Sequence, residues 1–225
     1  GSKLLFTSYE TGSPRICLLD IRSRKKIFLE GEPETMSFSP SFSPNGKDVV
    51  FSLTSRSNTD IYSLNIASNT RSRLTSSISI DTSPSFSPDG RRLVFESDRS
   101  GTQQLYVMPS SGGNAKRISF GQGSYGAPVW SPDQKKIALT NTTENGVELW
   151  LMKLETGTVV KLTEPNLNAN VGDVINWFDD SESMLVKKIY KNREELIDTK
   201  NIVPKGPTIS SNAGEKAQNR TYQDL

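Results

Sequence analysis

Asp89, Asp133 and Asp179 stand in three similar turns, and carboxylates presented by turns are a common beginning for a metal site. The partners such chemistry needs are scarce. The chain has 225 residues, no histidine and one cysteine. Ser-His-Asp and Cys-His catalysis, the His-Glu-x-x-His metal motif and an imidazole switch near neutral pH are therefore excluded. So are an intrachain disulfide and a multi-cysteine zinc site. No Gly-x-Ser-x-Gly nucleophile elbow is present. The lone thiol lies in the apolar run Ile16-Cys17-Leu18-Leu19, which predicts a buried core residue rather than a nucleophile. The three aspartates recur at the turn itself, where Asp accepts hydrogen bonds from its own backbone, so they read as turn caps. No metal or cofactor is expected.

Binding chemistry is weighed in the same way. Trp130 and Trp177 occupy the place that Phe42 and Phe86 hold in neighbouring segments, which predicts packing rather than stacking on a base or sugar; Trp150 is read likewise. Lys and Arg number 27 against 25 Asp and Glu, a net charge of +2. That balance gives no electrostatic basis for nucleic-acid binding, and the basic stretch Arg22 to Lys26 reads as a solvated turn. Asn141-Thr-Thr143 and Asn219-Arg-Thr221 match the glycosylation acceptor pattern, which is too short to carry weight. No run approaches the ~18 apolar residues of a membrane helix, so no membrane insertion is expected. No signal peptide is legible, and Gly1-Ser2 reads as a remnant of tag removal.

The elements that position these residues come from a repeat. Phe42-Ser-Pro-Asn-Gly46 returns as Phe86-Ser-Pro-Asp-Gly90 and as Trp130-Ser-Pro-Asp-Gln134, at intervals of 44 residues. A degenerate fourth copy is Trp177-Phe-Asp-Asp-Ser181. Pro presets φ and Gly accepts φ > 0, so each copy is a tight turn. A β-rich run follows each turn, as in Asp48 to Ser52 and Leu93 to Ser97. An alternating third strand (Gln104 to Met108, Glu148 to Met152) and a short fourth complete the period. Four short strands per 40–45 residues predict an all-β fold, a β-propeller of four-stranded blades.

About four to five blades are expected over residues 1–189, with boundaries near 34, 78, 122 and 168. The first lacks its inner strand and the last is incomplete. The strand near Val174 to Trp177 either completes the first blade, closing a four-bladed ring, or opens a fifth. Residues 190–225 read as an irregular tail or a partial last blade.

The Phe/Trp-Ser-Pro-Asp-Gly turn, with Phe95-Glu-Ser-Asp-Arg-Ser-Gly-Thr-Gln-Gln-Leu-Tyr-Val-Met108 after it, resembles the WD40-like (PD40) propeller repeat of the TolB family over about residues 3–126. That resemblance implies a non-catalytic, periplasmic scaffold of the Tol–Pal envelope system, with a Pal-like lipoprotein as partner. From about 130 to 225 the chain resembles the propeller of prolyl-oligopeptidase-type (S9) serine peptidases. Asn166 to Asp173, Ile175 to Phe178, Val203-Pro-Lys-Gly-Pro207 and Ala217 to Leu225 carry that likeness. There a propeller gates a hydrolase domain, so the implied alternative is a gating fragment without its catalytic domain. A change of resemblance at a blade boundary also fits an engineered chimera of recombined blades without a native function, or a natural divergent propeller.

In a four-strand meander, the loop between the second and third strands and the connector between blades reach the same rim. That rim collects Tyr9, Glu10, Arg56, Asp98, Arg99, Tyr125 and Asn145, a mixture suited to protein contact. These seven are the expected binding residues. A homo-oligomer is expected if the ring does not close within one chain.

Overall fold

A computed structural model of the chain describes residues 2–29, 34–56, 58–170 and 173–190. The tail expected over 190–225 lies, after Tyr190, outside the described residues. Every helix or strand element among the described residues is a strand. No helix there is long and apolar enough to cross a membrane.

The first sheet is three-stranded, β1 (Lys3–Ser8), β2 (Arg15–Asp20) and β3 (Lys26–Phe28). Three four-stranded antiparallel blades follow. The second holds β4 (Thr35–Phe42), β5 (Asp48–Ser55), β6 (Asn58–Asn65) and β7 (Thr70–Arg73). The third holds β8 (Asp81–Phe86), β9 (Arg92–Ser97), β10 (Gln104–Pro109) and β11 (Lys116–Arg117). The fourth holds β12 (Ser124–Trp130), β13 (Lys136–Thr143), β14 (Gly146–Lys153) and β15 (Val159–Lys161). β16 (Ile175–Trp177) and β17 (Met184–Val186) form a fifth, two-stranded sheet. The strand around Val174 to Trp177 therefore opens a fifth sheet and leaves the first blade at three strands. Among the described residues the sheets do not close into a ring.

The repeat turns hold their strands in one register. Phe42 stands opposite Val49, Phe86 opposite Leu93, Trp130 opposite Ile137 and Trp177 opposite Met184. In the third blade, Ser87 Oγ donates to Asp89 Oδ1 at 2.6 Å and the Arg91 N–H donates to the same oxygen at 3.0 Å. Ser131 and Lys135 do the same to Asp133, and Ser43 and Lys47 to Asn45. These N–H and O–H donors hold Asp89 and Asp133 below the usual carboxylate range. Gly90 closes its turn at φ 72°, a region that β-branched side chains avoid. In the degenerate copy the cap is Asp180 rather than Asp179: its Oδ1 accepts from the N–H groups of Glu182 at 2.9 Å and Ser183 at 2.8 Å. Phe178 fills the serine position there, donating its N–H to Ser183 O, so Asp180 holds the place of Asp89 and Asp133, and Asp179 stands where the other copies have proline.

Alternate residues of each second strand face opposite neighbours, as a period of two requires. Val49, Phe51 and Leu53 pack on Ile16, Leu18 and Leu29 of the first blade's span, while Val50 and Ile61 pack on Leu93, Phe95 and Met108 of the third. Val94 and Leu105 meet Trp130, Ile137 and Leu139; Ala138 and Leu149 meet Val174 and Ile175. The core is thus a row of seams between blades rather than one central mass. Cys17 is fully buried, and desolvation raises its thiol pKa.

The inner strands of the three complete blades each carry a bulge, at Phe38/Ser41, Thr82/Ser85 and Gly126/Val129. A residue at positive φ sits in each: Ser39, Ser83 and Ala127. In the third and fourth blades the turned-out N–H finds a side chain of the preceding blade. Ser83 N–H donates to Ser52 Oγ at 3.1 Å, and Ala127 N–H to Glu96 Oε1 at 2.7 Å. These bonds fix the spacing of neighbouring inner strands.

Candidate protein-binding rim

The loops β1–β2, β5–β6, β9–β10 and β13–β14 share one rim with the connectors between blades. Hydrogen bonds join loop to connector: Asn58 Nδ2 donates to Ser77 O at 2.8 Å, the Ile80 N–H to Asp98 Oδ1 at 2.9 Å, and Gln104 Nε2 to Gly123 O at 2.9 Å.

A polar clasp recurs beneath this rim. Asp60, Gln104 and Glu148 lie within the first three residues of the third strands; Arg73, Arg117 and Lys161 end the fourth; Thr75, Ser119 and Thr163 follow two residues later. Each hydroxyl accepts a backbone N–H of the third strand, from Ile61, Leu105 and Leu149 respectively. Arg73 donates to Asp60 at 2.7 Å and Lys161 to Glu148 at 2.8 Å. The balance differs between blades. Burial pushes the Asp60 carboxyl up against the pull of Arg73. The bond from Lys161, with help from Trp150 and Asn141, holds Glu148 down. Asn141 is buried within this network, donating to Glu148 Oε2, rather than presented at the surface as a glycan acceptor would be.

The seven expected residues separate by environment. Tyr9, Glu10, Arg56, Asp98 and Asn145 are exposed in the loops, Glu10 paired with Lys26 of β3. Arg56 takes φ 57° at its loop tip. Arg99 and Tyr125 are engaged in the fold. Arg99 Nη2 reaches the buried Asp81 carboxylate, and its guanidinium lies 4.7 Å from the Tyr106 ring centroid. Tyr125 packs edge-on to Trp150 at 6.4 Å and donates its hydroxyl to Phe120 O at 3.4 Å.

Three further residues belong to the rim: Ile78, Ile80 and Phe120 stand exposed on the connectors, Ile78 completely and Phe120 at 70%. Their signal in the sequence is a bulky apolar residue within an otherwise small and polar connector. Isolated apolar residues are common at surfaces, and here it is their place on one rim that marks them.

No group of three or more His, Cys, Asp or Glu is placed to hold a metal ion among the described residues. A polar hollow of about 280 Å³ lies on the opposite, turn side, between Ser43, Asn45, Asp48, Phe86, Asp89 and Ser110. Asn45 Oδ1 and Asp89 Oδ1 are already used by their own turns.

Seams that bury alternate faces of successive four-stranded blades define this molecule as a segment of β-propeller. The TolB β-propeller domain (PD40) matches residues 1–210, across the change of resemblance near residue 130, and the chain belongs to that family. It is similar to the Tol-Pal system protein TolB of Dinoroseobacter shibae, 51% identical over 83 residues, which cover 36% of this chain and 19% of that protein. Its fold is similar to the crystal structure of TolB from Acinetobacter baumannii, with a TM-score of 0.66 and 31% identity, covering 74% of this chain and 42% of that one. A puromycin-hydrolyzing peptidase of Mycobacterium tuberculosis is similar at TM-score 0.53 and 14% identity, over 73% of this chain and 31% of that one; this likeness shows the fold alone. The matches cover less than half the length of these two TolB proteins.

Proposed function

We propose that this chain is a non-catalytic, protein-binding propeller segment acting in the periplasm within a Tol–Pal type system, and that it engages a Pal-like lipoprotein through the rim carrying Tyr9, Ile78, Asp98 and Phe120. The observation that carries the reading is the placement of exposed Tyr9, Ile78 and Phe120 on the rim where the loops converge. Large apolar side chains beside polar groups supply the desolvated contacts of protein interfaces. Membership of the TolB propeller family and the name of its relatives support the choice of system. Tyr9, Glu10, Arg56, Asp98 and Asn145 serve as contact residues, with Arg99 and Tyr125 holding the loops in place.

Isothermal titration of the full chain with the soluble part of a Pal-like lipoprotein tests this. Saturable binding is expected, weakened at least tenfold by the pair Ile78→Asp and Phe120→Asp. No binding, or binding indifferent to both substitutions, would sink the proposal.

A further inference from the structure

The first residue of each second strand keeps its backbone role from blade to blade and changes its charge. The N–H groups of Asp48, Arg92 and Lys136 donate to Ser43, Ser87 and Ser131 Oγ at 2.9, 3.0 and 2.9 Å. Two residues on, Val50, Val94 and Ala138 face the following blade, so the side chains of Asp48, Arg92 and Lys136 lean the same way. Two of these crevices hold the chain's own cation. Between the third and fourth blades the Arg92 guanidinium lies 4.7 Å from the Trp130 ring centroid. Between the fourth blade and the fifth sheet Lys136 Nζ donates to Ser181 O at 2.9 Å and to Glu182 Oε1 at 2.7 Å.

Between the second and third blades the residue is Asp48, and there the hollow of about 280 Å³ opens, with Phe86 in the place of Trp130. Two further positions change with it. The seam between the third and fourth blades packs Val107 and Leu154, whereas the hollow is lined by their repeat counterparts Ser63 and Ser110. One seam thus exchanges a cation and two apolar side chains for a carboxylate and two hydroxyls. Asp48 Oδ1 accepts from Asn65 Nδ2 at 2.8 Å. Its Oδ2 and the hydroxyls of Ser63 and Ser110 have no hydrogen-bond partner among the described residues. Asp89, across the hollow, is bonded within its own turn and adds negative charge.

We propose that this hollow is a binding site for a guanidinium group carried on a short chain, stacked on Phe86 as Arg92 is on Trp130 and paired with Asp48. The next seam supplies the pattern: an aromatic ring at this position takes the face of a guanidinium. A guanidinium is planar and carries five N–H donors at its edge, so it can stack on a ring while donating to a carboxylate and to hydroxyls. The free acceptors of Asp48, Ser63 and Ser110 supply those partners. The hollow lies on the turn side, opposite the rim, so the site is independent of the function proposed above.

Magnetic-resonance titration of the isotope-labelled full chain with arginine, and separately with citrulline, tests the site. Citrulline has the same shape with a neutral urea in place of the charged group. Arginine should move the amide resonances of Asp48, Ser63, Phe86 and Ser110 saturably, with a Kd on the order of 1 mM, and citrulline should bind at least tenfold more weakly. Asp48→Asn keeps an acceptor for Asn65 and should weaken arginine binding at least tenfold. Ser110→Leu installs the side chain of the next seam and should block it, with the rim resonances unmoved. A blocked Gly-Arg-Gly peptide separates the sources: binding like arginine's assigns the site to a protein's side chain, and its failure beside arginine's success assigns it to a free solute. No saturable shift at these amides up to about 10 mM arginine would overturn the proposal. So would an equal response to citrulline, or arginine binding unchanged in both variants.

Discussion

Arg99 Nη2 donates to both carboxylate oxygens of Asp81, at 2.8 and 2.9 Å, joining the β9–β10 loop to the inner strand of its own blade. Asp81 has no exposed surface, while the Arg99 side chain keeps a quarter of its own. The guanidinium also receives support from Ser97, to which Nε donates at 2.9 Å, and from the rings of Tyr106 and Phe95. Removing it strands a buried carboxylate. Arg99→Ala should therefore cost about 3 kcal/mol, within the range for breaking a buried pair from one side. Urea denaturation gives the value, and Arg99→Lys should recover part of it. A loss below about 0.5 kcal/mol, the scale of an ordinary surface change, would mean the pair does not hold the loop.

Gly90→Val should destabilise the third blade by about 1–3 kcal/mol, the cost of placing a β-branched residue at φ 72°. Space is not the obstacle, since an added Cβ would meet Pro44 Cδ at an ordinary 3.5 Å. Gly90→Asn, which tolerates this backbone region, should cost less. Equal melting temperatures for Gly90→Val and the parent would show a different turn.

The carboxylate turns make a pH prediction. Asp89 and Asp133 titrate below the usual 3.8 because their turn donors favour the charged form. A depressed folded pKa gives stability that is present above the unfolded value and lost as pH falls through the folded one. Asn45 fills the same position with the same two bonds and no titration. Asp89→Asn with Asp133→Asn should thus leave the melting temperature near pH 7 little changed and make its decline below about pH 4 shallower. A decline as steep as the parent's would assign acid sensitivity to other carboxylates, such as Glu148.

Trp130→Ala and Trp177→Ala should differ in reach. Trp130 is buried in the seam between two complete blades and should cost about 3–5 kcal/mol across the whole transition. Trp177 is half-buried, its Nε1 donating to Val129 O at 3.2 Å, in a two-stranded sheet at the end of the series. Its loss should raise amide exchange in β16 and β17 while the second to fourth blades keep their protection. Uniform loss throughout would mean that this sheet is coupled to the whole molecule.

What was legible in the sequence follows from which contacts are local. A turn motif recurring every 44 residues carries its own register, so the strand pairings opposite Phe42, Phe86 and Trp130 could be read directly. The bulges at Ser39, Ser83 and Ala127 were hidden, because no glycine or asparagine stands at the positive φ, and the N–H partners of Ser83 and Ala127 come from another blade. Asp60, Gln104 and Glu148 keep the repeat spacing but change type, which conceals a common clasp. Arg99 and Asp98 look alike as loop polar residues; only the buried Asp81, 18 residues back, tells them apart. Whether β16 closes the first blade or opens another sheet depends on contacts beyond the repeat, and nothing in the local pattern decides it.

Hydrogen–deuterium exchange of the full chain, with and without the soluble part of a Pal-like lipoprotein at saturating concentration, tests the rim most directly. Protection should appear at Tyr9 to Ser13, Ser76 to Ile80, Asp98 to Gln103 and Phe120 to Gly123, and not at the turns Ser43 to Lys47, Ser87 to Arg91 and Ser131 to Lys135. Protection confined to those turns, or none at all in either set, would contradict the assignment of the rim as the binding surface.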